Sequence, residues 1–137
     1  MYKLSEAAID DFHESLERCS ISPNFLQDFY RRFTASSPEI AGKFVNTNLK
    51  TQARILKTSL YMAMLASDQN HEAREYLGRI ANRHDRKGLD IKPEYYDLWI
   101  ESMISAVREY DPQFNNETEK LWRKFMQPAI EYMKSQY

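Results

Sequence analysis

The stretch "RIANRHDRKGLDIKPEYY", residues 79–96, ends an apolar helix face with a histidine. Leu77, Ile80 and Ala81 recur at the spacing of one face of an α-helix. His84 follows one turn after Ile80 and therefore belongs to the same face. The spacing predicts a helix that ends near His84 and turns this histidine towards the interior.

After His84 the chain is predicted to break and then to begin another helix. Gly88 can adopt the left-handed backbone conformation that ends or redirects a helix. Pro93 suits the first turn of a helix, where a missing amide hydrogen leaves nothing unpaired. The stretch therefore predicts a helix, a short connection and a second helix.

Apolar spacing predicts further helices along the rest of the chain and indicates no strand. Pro128 falls inside the last predicted helix, where a kink is expected. The helix starts are predicted from capping and turn residues. The predicted helices start after Ser5, at Pro23, at Pro38, at Leu49, at His71, at Pro93 and near Glu117. Ser22 is the predicted N-cap of the second helix, and Ser37 precedes the third. The third helix is predicted to end near Gly42 and the last one at Ser135.

The composition favours one compact helical domain. The 137 residues are 42% hydrophobic and 28% charged, and they include 3 glycines and 5 prolines. So few turn-forming residues, with no repeat and no low-complexity tract, indicate a globular and regular chain. We predict a single all-α domain that spans residues 1–137.

The charge pattern argues against nucleic acid and membranes as partners. Formal net charge is -1, and the basic clusters "YRRF" and "RHDRK" are short and have acidic neighbours. No apolar run approaches the roughly 18 residues of a membrane span. Cys19 has no partner for an internal disulfide, and acidic residues occupy the N-terminal segment where a signal peptide would be apolar. A cytoplasmic protein is expected.

His84 itself has two interpretations. Most histidines in helical proteins are simply packed or solvated. On this face, however, a neutral imidazole could donate from Nδ1 to a backbone carbonyl near Ile80 and point Nε2 into a cavity, which suits one axial bond to a flat metal cofactor. Zinc is not expected, because His13 and His71 belong to other segments and no CxxC or HxxxH pair occurs.

Other candidates lie upstream and also have two interpretations. Gln52 is either a glutamine at the edge of the apolar stripe or an amide donor to a bound diatomic ligand. Tyr30, between Phe29 and Phe33, is either a core residue or a hydroxyl donor to Gln52 or to a ligand. Phe44 follows the short third helix and by itself is only a hydrophobic anchor.

Familiar catalytic motifs are absent from the sequence. It contains no GxGxxG, no Walker loop and no GxSxG elbow, and acidic pairs such as Asp10 and Asp11 fall on solvated faces. Nothing argues for acid–base catalysis by carboxylates. A helical interaction module without a cofactor remains an alternative.

Together these stretches resemble the globin family, in particular bacterial single-domain globins similar to the haem domain of flavohaemoglobins. "FYRRFTASSPEIAGKF" resembles the aromatic-rich second helix, the Pro-Glu start of the third helix and the phenylalanine that packs on the haem. "NLKTQARILKTSL" resembles the distal helix, "YLGRIANRHDRKG" the proximal helix and "IKPEYYDLW" the entry to the next helix. The resemblance covers about residues 5–136 and implies the globin fold, a three-over-three helical sandwich.

The resemblance also implies a role for each matching residue. His84 matches the proximal iron ligand, Tyr30 the distal tyrosine and Gln52 the distal glutamine. These two distal residues are expected to donate hydrogen bonds to a diatomic ligand. The implied cofactor is one haem b (iron protoporphyrin IX), in a pocket lined by Phe29, Phe33, Phe44, Leu56, Leu77, Ile80, Ile91 and Tyr96.

Two functions follow from the resemblance. The first is reversible binding of oxygen or another diatomic ligand, such as nitric oxide or carbon monoxide, for storage, scavenging or sensing. The second is a nitric oxide dioxygenase that works with a separate reductase. Either a monomer or a homodimer is compatible with the sequence.

The sequence departs from the family pattern in two places. The stretch from His84 to the "PEYY" motif is about two residues longer than in flavohaemoglobins, which affects the register of Tyr96 as a haem contact. Flavohaemoglobin-like globins also use a glutamate on the last helix to support the proximal histidine. Here the matching register falls near Gln136 and Tyr137, and Glu131 comes too early. A weaker electronic push on the iron is expected.

Overall fold

The computed structural model describes residues 6–67, 70–85 and 89–137. Within these ranges it contains helices and no strand, which confirms the all-α prediction. In the same ranges, no helix is long and apolar enough to cross a membrane. The helices are α1 (Glu6–Ser20), α2 (Phe25–Ala35), α3 (Pro38–Lys43), α4 (Leu49–Ser67), α5 (His71–His84), α6 (Pro93–Tyr110) and α7 (Asn116–Ser135).

The predicted start of the second helix at Pro23 was wrong. Helix α2 begins at Phe25, with Asn24 at the N-cap position. The Ser22 hydroxyl accepts a hydrogen bond from the Asn24 amide, and the Ser22 carbonyl accepts one from the Phe25 amide. Ser22 therefore stabilises a turn that precedes the helix, and Pro23 lies within that turn.

The other predicted boundaries within the described residues agree closely with the structure. Pro38 and Pro93 each lie in the first turn of their helices. Helix α7 begins at Asn116, one residue before the predicted start, and Pro128 lies inside it. The kink at Pro128 stays a prediction. The predicted N-cap Ser5 and the helix-breaking Gly88 lie outside the described residues.

Aromatic side chains fill the core where α1 meets α7. The ring of Phe12 stacks on Phe125, with centroids 4.6 Å apart, and its other contact is a tilted one with Trp122. All three residues are fully buried. Pairs of this kind add about 0.5–1.5 kcal/mol beyond the burial of their area, so this cluster anchors α1 on the C-terminal helix.

A buried polar network ties α1 to the connection between α6 and α7. Asp111 accepts hydrogen bonds from Ser15 at 2.7 Å and from Arg18 Nε at 2.7 Å. The indole of Trp122 donates to the same Ser15 hydroxyl at 2.9 Å. Burial alone would raise the pKa of Asp111, but the bonds from Arg18 and Ser15 outweigh it and lower that pKa. Asp111 is therefore held ionised in the interior.

A second network fixes α2 against α6. The side chain of Arg32 donates to Asp28 at 2.9 Å within α2, and to Ser105 at 2.6 Å and Glu109 at 2.7 Å on α6. Asp28 is itself buried. Because α2 also carries Tyr30, this network positions one of the candidate ligand-binding residues.

Candidate functional site

A cavity of about 280 Å³ opens among helices α2 to α7. Its walls are mainly apolar and aromatic, and the side chains come from six helices and from the segment that precedes α6. The structure thus brings together residues that are far apart in the sequence. Ten residues singled out from the sequence line it: Tyr30, Phe33, Phe44, Gln52, Leu56, Leu77, Ile80, His84, Ile91 and Tyr96.

The prediction that Phe29 lines this pocket was wrong. Phe29 is fully buried in the core, where its ring contacts Trp99 at 5.5 Å and Phe33 at 5.6 Å. Successive residues of an α-helix point about 100° apart, so Phe29 and Tyr30 leave α2 in different directions. Phe29 packs behind the cavity wall and supports Tyr30, which it contacts edge to face.

His84 lies at the C-terminal end of α5, where its imidazole is held by the helix itself. Its Nδ1 atom lies 2.6 Å from the carbonyl oxygen of Ile80. The Asn70 side chain caps the other end of α5 by accepting from the Ala73 amide. Burial, with the nearby positive charge of Arg83, lowers the pKa of His84 against the opposing effect of the Ile80 bond. The imidazole is therefore kept neutral, with Nδ1 engaged and Nε2 available to coordinate a metal.

Tyr30 and Gln52 meet in the same cavity, although they come from α2 and α4. Tyr30 is buried, and burial raises the pKa of its hydroxyl to about 12. A side-chain hydrogen bond from Gln52 acts in the opposite direction on that pKa. The two polar groups therefore lie close enough to interact in the cavity wall, and whether they bond to each other or to a ligand stays a prediction.

Phe44 directly follows α3 and belongs to an aromatic cluster. Its ring centroid lies 5.5 Å from that of Tyr30 and 6.0 Å from that of Phe33. Phe44 is half-buried and lines the cavity. It is therefore part of the cavity wall as well as a hydrophobic anchor for the chain after α3.

A sequence model of the globin family matches residues 27–133, a range that runs from α2 into the last turns of α7 and includes every one of these cavity residues. The chain belongs to the globin family. The predicted family and the predicted globin fold are both confirmed.

Two known proteins are similar to this chain. A flavohemoprotein of Halalkalibacterium halodurans is 34% identical over 83 residues, which cover 59% of this chain and 20% of that relative. The alignment thus spans a fifth of the flavohemoprotein. A crystal structure from Pseudomonas aeruginosa, of a protein described as structurally highly homologous to a human hemoglobin, is 36% identical. It superposes with a TM-score of 0.89 and covers 95% of this chain and 98% of its own.

Tyr96 and the C-terminal end of the chain have contacts that bear on the predicted support of His84. The hydroxyl of Tyr96 donates to the Sδ atom of Met133 at 3.7 Å, and burial raises the pKa of Tyr96 to about 12. Tyr137, near the register expected for a glutamate, donates instead to Asp90. Glu131 is exposed on α7. The Tyr96 hydroxyl therefore has a thioether, a weak acceptor, as its partner.

Sequence reasoning missed the contribution of the last helix to the globin cavity. Four residues of α7 line it at the spacing i, i+3, i+4 and i+7, which could have been found in the sequence as an apolar stripe. It also missed two cations, Lys43 and Arg83, each directly beside a predicted site residue. The four α7 residues are Met126, Ala129, Ile130 and Met133.

The cavity residues of the globin fit a haem. The apolar and aromatic wall suits a flat macrocycle, and the neutral imidazole of His84 would be the residue that holds its iron. Lys43 and Arg83 can pair with the carboxylates of the porphyrin. As a member of this family the chain is a haem-binding globin, and binding of a diatomic gas ligand is implied with it.

Proposed function

We propose that this globin binds one haem b through Nε2 of His84 and reversibly binds oxygen or another diatomic ligand, such as nitric oxide or carbon monoxide. The observation that carries the proposal is the shared cavity, which joins a neutral, oriented imidazole with two polar side chains, the buried Tyr30 and the partly buried Gln52. When bound, the haem supplies an iron centre that can take one diatomic ligand.

His84 acts as the fixed ligand in this proposal. The contact to Ile80 selects the tautomer with hydrogen on Nδ1, so that the lone pair of Nε2 is the one available to the metal. Because burial lowers the pKa of His84, a proton competes poorly for that lone pair near neutral pH.

Tyr30 and Gln52 act on the ligand. Both are donors inside an apolar cavity, where water is a poor competitor for their hydrogen bonds. A diatomic ligand that gains negative charge on binding would be stabilised by both donors, which favours tight binding and slow release. Such properties suit storage, scavenging or sensing in the cytoplasm, by a monomer or a homodimer.

Absorption spectroscopy tests the haem proposal directly. Protein reconstituted with haem b is expected to show a Soret band that shifts on reduction and again on addition of carbon monoxide. The variant His84→Ala should lose the ferrous spectrum of a histidine-ligated haem. His71→Ala is the matched control, since His71 lies on the same helix with 85% of its side chain exposed. Equal spectra for the two variants would exclude His84 as the ligand.

A second candidate function is nitric oxide dioxygenation with a separate reductase. It is favoured by the similarity to a flavohemoprotein, a fifth of whose length the alignment spans. Oxygenated protein mixed with nitric oxide should then yield nitrate, and a cell extract should return ferric protein to the ferrous state over many turnovers. Nitrate in a single stoichiometric burst, with no re-reduction, would leave scavenging as the role.

A further inference from the structure

Two segments that are distant in the sequence form one side of the cavity. The first is α3 with the residue after it, which contributes Ile40, Lys43 and Phe44 to the wall. The second is the segment before α6 with the first turn of that helix, which contributes Leu89, Ile91, Tyr95 and Tyr96. A flat cofactor seated in the cavity would contact both segments, so their relative placement affects how well it is retained.

Polar contacts join the two segments. The hydroxyl of Tyr95 donates to the carboxylate of Glu39, and Lys92 Nζ lies 3.7 Å from the same carboxylate. Lys43 Nζ donates to the carbonyl oxygen of Leu89 at 3.1 Å. Glu39 thus connects α3 to two residues of the second segment at once. The proximity of its negative charge, chiefly through the hydrogen bond, raises the pKa of Tyr95 to about 12.

Helix α3 needs such contacts to hold its position. It has only six residues, too few to be stable as an isolated helix, so its placement depends on tertiary contacts. Ile40 anchors its inner side, because this side chain is buried in the core. On its outer side, Glu39 is 65% exposed and yet reaches Tyr95, whose own side chain is buried.

We infer that Glu39 is a positioning residue for haem retention: it fastens α3 to the start of α6 and thereby holds Phe44 and the segment containing Ile91 against the cofactor. Glu39 does not itself line the cavity, and it acts through Phe44 and Tyr95. This inference rests on the proposed haem binding. It adds that the rate of haem loss is set partly by a contact outside the pocket.

The first test measures transfer of haem from the loaded protein to an excess of an apoprotein acceptor, followed in the Soret region. Glu39→Ala is expected to release haem roughly two- to fivefold faster, the size expected for loss of an exposed charge-assisted contact. Tyr95→Phe should give a similar change, and the double variant should lose haem little faster than either single one because both remove the same contact.

The matched control is Glu101→Ala. Glu101 is 63% exposed and pairs with Arg123 on α7, away from the cavity wall. It thus shares with Glu39 its residue type, its exposure and an ion pair on a helix. Equal rates of haem release for Glu39→Ala and Glu101→Ala would overturn the inference, whereas a faster rate in Glu39→Ala alone supports it.

A second measurement needs no haem and separates this inference from the proposed function. In haem-free protein, hydrogen exchange of the Phe44 and Ile91 amides, which bond to Ala41 and His84 carbonyls, should speed up in Glu39→Ala and not in Glu101→Ala. Faster exchange in a protein that never binds haem would refute the proposed function and keep Glu39 as the fastening residue. Haem binding with unchanged exchange would refute the role of Glu39 alone.

Discussion

The Nδ1 atom of His84 lies 2.6 Å from the carbonyl oxygen of Ile80, one helical turn earlier in α5. A backbone carbonyl thus orients the imidazole ring, and no other side chain is needed for this contact. Because the Ile80 carbonyl would remain after removal of the His84 side chain, free imidazole could bind in the space that the ring leaves.

Cavity rescue tests this arrangement. The variant His84→Gly should fail to form a histidine-ligated ferrous haem, and millimolar imidazole should restore the spectrum because it supplies the missing nitrogen ligand. The measurement is a titration of His84→Gly with imidazole in the Soret region. His71→Gly serves as the control and should need no imidazole. A variant that keeps the wild-type spectrum without imidazole would show that another residue holds the iron.

The proposed ligand donors Tyr30 and Gln52 lead to a kinetic prediction. Each donor bond to a charged acceptor contributes on the order of 1.5–3 kcal/mol, so Tyr30→Phe and Gln52→Leu should each speed oxygen dissociation roughly ten- to hundredfold. Stopped-flow displacement of oxygen by carbon monoxide measures these rates. Tyr110→Phe, outside the cavity, is the control. Unchanged rates in both distal variants would contradict the proposed donor role.

The raised pKa of Tyr30 predicts that the rate of oxygen release depends little on pH in the alkaline range. Burial raises the pKa of Tyr30 to about 12, so its hydroxyl remains a donor well above neutral pH. The oxygen dissociation rate should therefore stay constant from about pH 7 to pH 10. A tyrosine with the ordinary pKa of about 10 would instead lose its proton near the end of this range, and the rate would rise there.

The buried carboxylate of Asp111 predicts how the free energy of unfolding depends on pH in the acidic range. Its pKa in the folded protein lies below the ordinary value of 3.8, so its contribution to the free energy of unfolding is complete above that value and is lost as pH falls through the folded pKa. Asp111→Asn should lower the free energy of unfolding at pH 7 by about 3 kcal/mol, because Arg18 and Ser15 lose a charged partner. Urea unfolding at pH 7 and at pH 3 measures both effects.

Asp97→Asn is the control for this measurement. Asp97 is 71% exposed and pairs with Lys134 on the surface, so its loss should change the free energy of unfolding by less than about 1 kcal/mol. If Asp111→Asn and Asp97→Asn lowered the free energy of unfolding by the same small amount, the buried network would contribute nothing measurable to stability.

Substitution of Tyr96 is predicted to have a small effect on the haem site and on stability. Its hydroxyl donates to the thioether of Met133, a weak acceptor, so Tyr96→Phe removes little hydrogen-bond energy. The iron–histidine stretching frequency and the thermal midpoint of the loaded protein should both change little. A large downward shift of that frequency would instead show that Tyr96 strengthens electron donation by His84.

Local sequence signals sufficed where the structure depends on local chemistry. Helix α5 ends at His84 as the apolar spacing predicts, and Pro38 and Pro93 mark helix starts because a missing amide hydrogen leaves nothing unpaired in the first turn. The start of α2 was missed for an equally local reason. The Ser22 hydroxyl can stabilise either a helix or a preceding turn, and here the bond goes to the Asn24 amide of the turn.

Features that depend on helix packing were beyond local reasoning. Phe29 and Phe33 belong to one apolar face of α2, but only the crossing with α6 decides that Phe29 meets Trp99 and Phe33 reaches the cavity. The partner of Tyr96 likewise depends on how α7 passes α6, which places Met133 beside it. Family resemblance supplied the expected site residues, and packing decided which of them share the cavity.

The network that joins Ser15, Asp111 and Trp122 has a consequence for how this chain is made. Ser15 meets its two partners 96 and 107 residues later in the sequence. During synthesis, α1 therefore leaves the ribosome long before Asp111 and Trp122 have been added to the chain. Until α7 has emerged, the ring of Phe12 lacks its contacts with Trp122 and Phe125, and in that interval this apolar side chain is available for chaperone binding.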